Sequence, residues 1–484
     1  MSEIVNWWLN GMAPVSGVLR AVFYTGLLVL CVVDSPSPLQ AAKIIGGTER
    51  AFYTPVAVLR LLGLRWVEPP VLSVVAKLTI AVWIAAAVGF AQPVTGVLTF
   101  LGFAFLHMVN AGALGSNHST HSALYALLCL CFSVSPGFSV DTLLGFSLVP
   151  AQSAFTSGFA PLLLLVFLSY TLFAGGVSKV LNGGLRWFDG SGLRFYLEQS
   201  APIARWPFMS RLLTGSPALC RAMAWASVLI ELSAPAAIAV SPLRVPLIAL
   251  WVCLHVGILF VMMPAYWVQM WCYLLLVVPA LTPHAAVPTD APGADVFAVI
   301  GVLGCLTLLV VMLRQSEEWP FTAVPMYSNG RPAAEVVPPR REELATRAAQ
   351  AHRGRHRSWQ RAWVVEEVME DIWVRPVEGG EGRPLFHLML ENKVVKFVRW
   401  SQYGKVVRAT AIADVVAKSA DHAELDAAGA DYPAARLLRA VTPVIRRALP
   451  GWERYDRLEL VCRTTCGGVV IASTALSAPE MRTS

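Results

Sequence analysis

Up to about Leu313 the chain consists of long apolar runs joined by short polar segments. A bilayer span needs about 20 mostly apolar residues. The candidates are Pro14–Val33, Val71–Ala91, Val94–Leu114, His121–Val134, Phe159–Val177, Leu219–Val240, Leu243–Met263, Ala265–Leu281 and Val296–Leu313. The fourth and eighth are short, so about eight or nine transmembrane helices are expected. Of the 484 residues, 56% are hydrophobic and only 14% charged, against about 25% charged in soluble globular proteins. The deficit is uneven, with charge sparse before Leu313 and ordinary beyond it. A soluble core of this size would need a polar coat, whereas lipid solvates apolar side chains on every face of a helix.

Two stretches between the spans, Ala51–Leu64 and Leu185–Arg211, mix apolar or aromatic residues with arginines and read as interfacial. Basic residues in loops set orientation. Lys43, Arg50, Arg60 and Arg65, then Lys179, Arg186, Arg194, Arg205, Arg211 and Arg221, fall on one side together with the basic tail. The other side has little beyond Arg244. This places the N-terminus outside and the C-terminal domain in the cytoplasm, in a cell (inner) membrane. The net charge of +7 lies beside these spans and in the stretch Arg340–Arg361, where it serves topology and anionic lipid. Membrane lipid is therefore the expected partner and nucleic acid is not. The N-terminus has no basic n-region, so no cleavable signal peptide is expected.

The fold class is thus an all-α polytopic membrane bundle followed by a small α+β soluble C-terminal domain. Its divisions are a transmembrane domain over 1–328, a basic Pro/Arg-rich connector over 329–362 and the soluble domain over 363–484. Strand-like stretches in the last are Trp363–Val368, Ile372–Val377, Leu385–Leu390, Val394–Trp400 and Leu458–Cys462, with a helix over Ala434–Ala448. Cys462 and Cys466 are spaced for a disulfide or half a metal site, or are two unlinked thiols. The other seven cysteines lie in apolar segments, as small hydrophobes.

Ionisable residues inside a membrane are costly and tend to be kept for function. Four places qualify. His118 and His121 open the fourth span, three apart and so on one helix face, with Asn117 before them and His107 one span earlier. They could hold a proton, a metal or a polar substrate, or simply bond headgroups and loop carbonyls. Lys179 ends the fifth span, where it either snorkels to the headgroups or sits in a dry pocket that disfavours its ammonium and makes it a usable base. Glu231 and His255 lie mid-span and must face the bundle interior and pair, with Arg20 a candidate partner for Glu231. No nucleotide-binding loop, nucleophile elbow or zinc-protease helix is present.

Four short segments, in order, resemble the membrane core of the vitamin K-dependent γ-carboxylase family, also called the HTTM superfamily. They are Asn117-His118-Ser119 with Tyr125; Gly176-Val177-Ser178-Lys179 with Trp187 and Asp189; Glu231-Leu232-Ser233-Ala234; and His255. A fifth, Glu318-Trp319-Pro320-Phe321 with Pro325-Met326-Tyr327-Ser328, is similar to the segment closing that core in bacterial members. The resemblance implies Lys179 as the base that deprotonates a reduced quinone, and His118 as the neighbouring His that positions or stabilises what forms. It places Asn117, His121, Trp187, Glu231 and His255 around substrate or quinone. The implied co-substrates are reduced vitamin K or menaquinone, oxygen and carbon dioxide, with no metal and with a peptide as substrate. Where the family has a lysine pair, this chain has Ser178-Lys179, and the family's large C-terminal region is much reduced.

The leading expectation is therefore a quinone-using, carboxylase-epoxidase-like membrane enzyme (a lyase) acting on a peptide or small substrate. The alternatives are a non-catalytic protein for maturing or handling a secreted peptide, and a transporter with Glu231 and His255 on a proton path. The absence of an internal sequence repeat weighs against the last.

Overall fold

The computed structural model describes residues 2–33, 37–46, 53, 55–114, 118–135, 137–150, 152–200, 206–261, 266–314, 372–378, 381–382, 386–387, 455–464 and 467–475. The chain divides into two compact units, the first comprising Met1–Gly46, Val56–Ala111 and Ser116–Ala333.

The helices begin with α1 (Ser2–Asn10), α2 (Gly17–Val33), α3 (Ala41–Gly46) and α4 (Ala57–Leu61). Next come α5 (Pro69–Val88), α6 (Val94–Leu114), α7 (His118–Leu130), α8 (Val140–Leu143) and α9 (Phe159–Ser178). A wide turn, Lys179–Gly183, leads to α10 (Gly184–Phe188), α11 (Ser191–Ser200) and α12 (Pro207–Thr214). The series ends with α13 (Pro217–Leu232), α14 (Ala236–Ala239), α15 (Arg244–Val261), α16 (Trp267–Leu281) and α17 (Ala294–Arg314).

Every apolar stretch singled out in the sequence is helical over most of its length. Among the described residues five helices, α5, α6, α9, α15 and α17, are long and apolar enough to cross a membrane. Two bent pairs, α2 with Pro38–Gly46 and α12 with α13, raise the number to seven if each is one span. The other two stretches form the shorter apolar helices Thr120–Leu130 and Trp267–Leu281, because polar residues and prolines end them early. The stretch Leu219–Val240 breaks after Leu232, where Pro235 cannot continue the backbone ladder. Glu231 consequently lies in the last turn of α13 and not in the middle of a span.

Apolar residues on all sides of α9 are explained by its position. Of its apolar stretch 83% is buried within the protein, against 28% for α17. Phe159, Leu162, Leu165 and Leu168 of α9 join a core with Trp83, Phe103, Trp251 and Tyr273. Phe132, Phe159 and Phe297 pack edge-on or tilted at 4.7–5.5 Å between ring centroids. Val296, Val299, Leu303, Leu306 and Val310 of α17 are exposed, as expected of a helix that meets lipid.

In the second unit the strands β1 (Ile372–Glu378), β2 (Glu381–Gly382), β3 (Phe386–His387), β4 (Arg457–Thr464) and β5 (Gly467–Ala475) form an antiparallel sheet. The order is β2-β1-β4-β5, with β3 also pairing β1. Strands β1 and β4 coincide with sequence expectations, and β3 is the described part of Leu385–Leu390. Strand β5 was not expected, because its glycines, alanines and serine give no apolar alternation. The expected strands Trp363–Val368 and Val394–Trp400, the helix Ala434–Ala448, the connector and the segment Glu318–Ser328 lie outside the described residues.

Candidate functional site

Helix α9 packs against α13 at closest approach through glycine. A methyl group at Gly176 would lie 3.0 Å from Cβ of Glu231 and 3.1 Å from Cδ2 of Leu232. The missing side chain lets the two helices meet, so the end of α9 faces the last turn of α13. There the amine of Lys179 donates to Oε1 of Glu231, forming an ion pair across 52 residues of sequence. Lys179 is 7% exposed and Glu231 6%. The snorkelling alternative for Lys179 is thus not what the fold adopts.

The wide turn after Lys179 and the positive φ of Gly184, +50°, lead into α10. A left-handed backbone at that point carries no steric cost for glycine. This turn puts Trp187 beside the ion pair, with Lys179 Nζ 5.2 Å from its ring centroid. That separation is within cation–π range. Trp187 is held in turn by Ala224 and Val228 of α13. Asp189, two residues on, is exposed, and its carboxylate accepts from Ser191 N at 2.7 Å. It caps α11 and takes no part in the pair.

His255 of α15 is buried, and its Nδ1 lies 2.8 Å from the carbonyl of Trp251. Its ring stands nearly perpendicular to Tyr266 at 5.3 Å, and Tyr273 flanks it at 5.4 Å. Gln269 donates to the Tyr273 hydroxyl. His255, Tyr266, Gln269 and Tyr273 thus form one polar group within the apolar helices α15 and α16. Gln269, Tyr266 and Tyr273 were not singled out in the sequence. The spacing of Gln269 and Tyr273, one helical turn apart in an apolar segment, was the signal available.

His121 sits in another cluster. Its ring packs edge-on to His107 at 4.8 Å, and the Oγ1 of Thr120 lies 3.0 Å from Nε2 of His107. Tyr125, 6.2 Å from His121, stacks on Phe167 of α9. His118 begins α7, but its side chain, like Asn117 as a whole, lies outside the described residues.

Arg20 does not pair with Glu231. Its guanidinium donates to Gln92 Oε1 at 2.8 Å, to the Ser135 carbonyl at 3.2 Å and to the Phe138 carbonyl at 2.8 Å. A helical turn of α2 aims it at the loops closing α5 and α7, where carbonyls are free to accept. Among the described residues no group of three or more His, Cys, Asp or Glu is placed to hold a metal ion.

Comparison with known proteins finds no match among family models, curated proteins or solved structures.

Proposed function

We propose that this chain is an integral membrane enzyme that takes a proton from a lipid-soluble hydroquinone at the Lys179–Glu231 pair. The oxidation would then drive carboxylation, or another modification, of a peptide or small substrate. One observation carries the reading: a cation and a carboxylate are buried together inside an apolar helical unit, and among the described residues Oε2 of Glu231 has no hydrogen-bond partner. Burying such a pair costs several kcal/mol per ion in desolvation, so it is weak evidence for stability. Inside a membrane such residues mark pathways and sites.

The residues suit a reduced quinone. Oε2 of Glu231 can accept a hydroxyl, the Trp187 ring offers an aromatic surface, and the surrounding side chains are apolar. When bound, the reduced quinone supplies the electrons that convert oxygen into a strong base. The chain's own residues receive and hold the proton. Lys179 supplies positive charge next to the anion that proton loss creates. His255 is fixed through Nδ1 on the Trp251 carbonyl, and the apolar packing excludes water. In this reading the C-terminal domain is soluble and cytoplasmic and the N-terminus is outside, as the loop charges require.

The test is to supply purified protein in lipid nanodiscs with reduced vitamin K or menaquinol, oxygen and carbon dioxide. Epoxide formation is expected, and Lys179→Ala should lower it by about 100-fold or more, the usual scale for losing a group that stabilises a developing anion. No epoxide from any reduced quinone, with tight binding of a peptide, would favour the non-catalytic alternative. Proton-coupled uptake into vesicles would favour transport.

A further inference from the structure

Helix α12 does not continue the direction of α13. The two meet at 101°, so with α13 along the bilayer normal α12 lies close to the membrane plane. One face of α12 is fixed to the bundle at the end of α15. Trp206 N donates to the Phe260 carbonyl at 3.0 Å, and Ser210 Oγ donates to the Val261 carbonyl at 2.7 Å. A helix end leaves such carbonyls open unless something caps them. The Trp206 ring stacks on Phe260 at 3.8 Å, and Leu213 is buried with Leu197 and Cys220. The opposite face is of another kind. Phe208 and Leu212, one helical turn apart, are 57% and 58% exposed, and Arg211 is exposed on their flank. Beyond the bend, Leu219, Met223 and Leu229 of α13 are exposed as well. From Gly184 to Arg221 arginines outnumber acidic residues five to two, and one of those two, Asp189, is engaged at the start of α11.

We propose that α12 is a lipid-binding element, with Phe208 and Leu212 among the acyl chains and Arg211 on the phosphate of an anionic phospholipid. A helix lying in the boundary layer buries its apolar side about 5–10 Å deep and keeps its basic residues at the headgroups. Tryptophan is also at home at that level, where Trp206 marks the corner. A soluble protein partner is the rival occupant of the same face. The in-plane attitude, the apolar side of α13 that follows and the surplus of arginine favour lipid. Because Trp206 and Ser210 tie α12 to α15, the lipid grips the bundle itself and not a loose loop. This role is independent of the chemistry at Lys179 and Glu231.

The test places a dansyl amino acid at the exposed position of Leu212 in the full-length protein, reconstituted in phosphatidylcholine nanodiscs. Phosphatidylcholine brominated on its acyl chains should quench the emission, and aqueous iodide should quench it little. Stronger quenching by iodide would mean that α12 faces water or a soluble partner, and overturns the proposal. The same label reads the headgroup. Acyl-brominated phosphatidylglycerol, diluted into plain phosphatidylcholine, should be enriched beside the label about fivefold over brominated phosphatidylcholine at the same mole fraction. That is the size expected of one arginine at an anionic surface. Arg211→Gln should bring the two lipids close to equality, and Arg211→Lys should keep most of the difference. The side chain is exposed, so both variants keep the fold, and the bromine quenching itself reports that α12 remains seated. Equal quenching by the two lipids in the wild type, or a preference that survives Arg211→Gln, overturns the assignment of the phosphate to Arg211.

Discussion

Arg20 and Lys179 are both cations buried in the helical unit, and they are treated in opposite ways. Arg20 donates to Gln92 and to the main-chain carbonyls of Ser135 and Phe138, so helix ends and loops absorb its charge. Arg244 is held similarly by the carbonyls of Gly11, Ala237 and Ile238. Lys179 instead meets a carboxylate on a neighbouring helix, and that carboxylate keeps one oxygen bare. A guanidinium with its fork of donors is suited to tying separate carbonyls together. A single amine facing a half-used carboxylate is suited to exchanging a proton. The first arrangement is a clamp and the second a site.

The largest expected effect breaks the pair. Glu231→Met leaves Lys179 as an uncompensated buried charge and should lower stability by about 3–5 kcal/mol. Lys179→Met with Glu231→Met should recover most of that loss, because apolar replacement of a whole buried pair is tolerated. Thermal melting in detergent measures both, and equal losses would mean that the two groups are not coupled. Arg20→Met comes next. It strands the Phe138 carbonyl and leaves Gln92 Oε1 and the Ser135 carbonyl with one donor each, from Ser135 N and Gln92 Nε2, for a loss of about 1–3 kcal/mol. No single further substitution should rescue it, because main-chain carbonyls remain. The folded fraction should still form epoxide at the wild-type rate, which is what separates a clamp from a site.

Smaller effects sharpen the contrast at the α9–α13 contact. Gly176→Ala should cost about 1–3 kcal/mol by overpacking against Glu231 and Leu232. Gly175→Ala, one residue earlier, should be neutral or gain about 0.5–1 kcal/mol from helix propensity. Melting curves of the two variants check the difference, and similar losses in both would mean that α9 is packed as tightly at Gly175 as at Gly176.

Much of this was legible beforehand, for identifiable reasons. The apolar stretches carried the helices, because lipid-facing and core-facing positions alike demand apolar side chains. Lys179, Glu231 and His255 each stood out as ionisable residues in apolar surroundings. What remained hidden was which cation Glu231 would meet. Arg20 was the partner that position suggested, and the glycine contact at Gly176 brings the ends of α9 and α13 together instead. Trp187 was matched by resemblance, but the wide turn and Gly184 that return it to Lys179 gave no periodic signal. Strand β5 was missed because small residues read equally well as a loop.

Proton transfer to the Lys179–Glu231 pair can be observed without any later chemistry. In the absence of oxygen, the ultraviolet difference spectrum of bound 2-methyl-1,4-naphthohydroquinone should show the red-shifted absorption of its anion in the wild type. The double variant Lys179→Met/Glu231→Met should show the neutral ligand. Identical spectra in the two proteins would contradict a proton-accepting role for the pair.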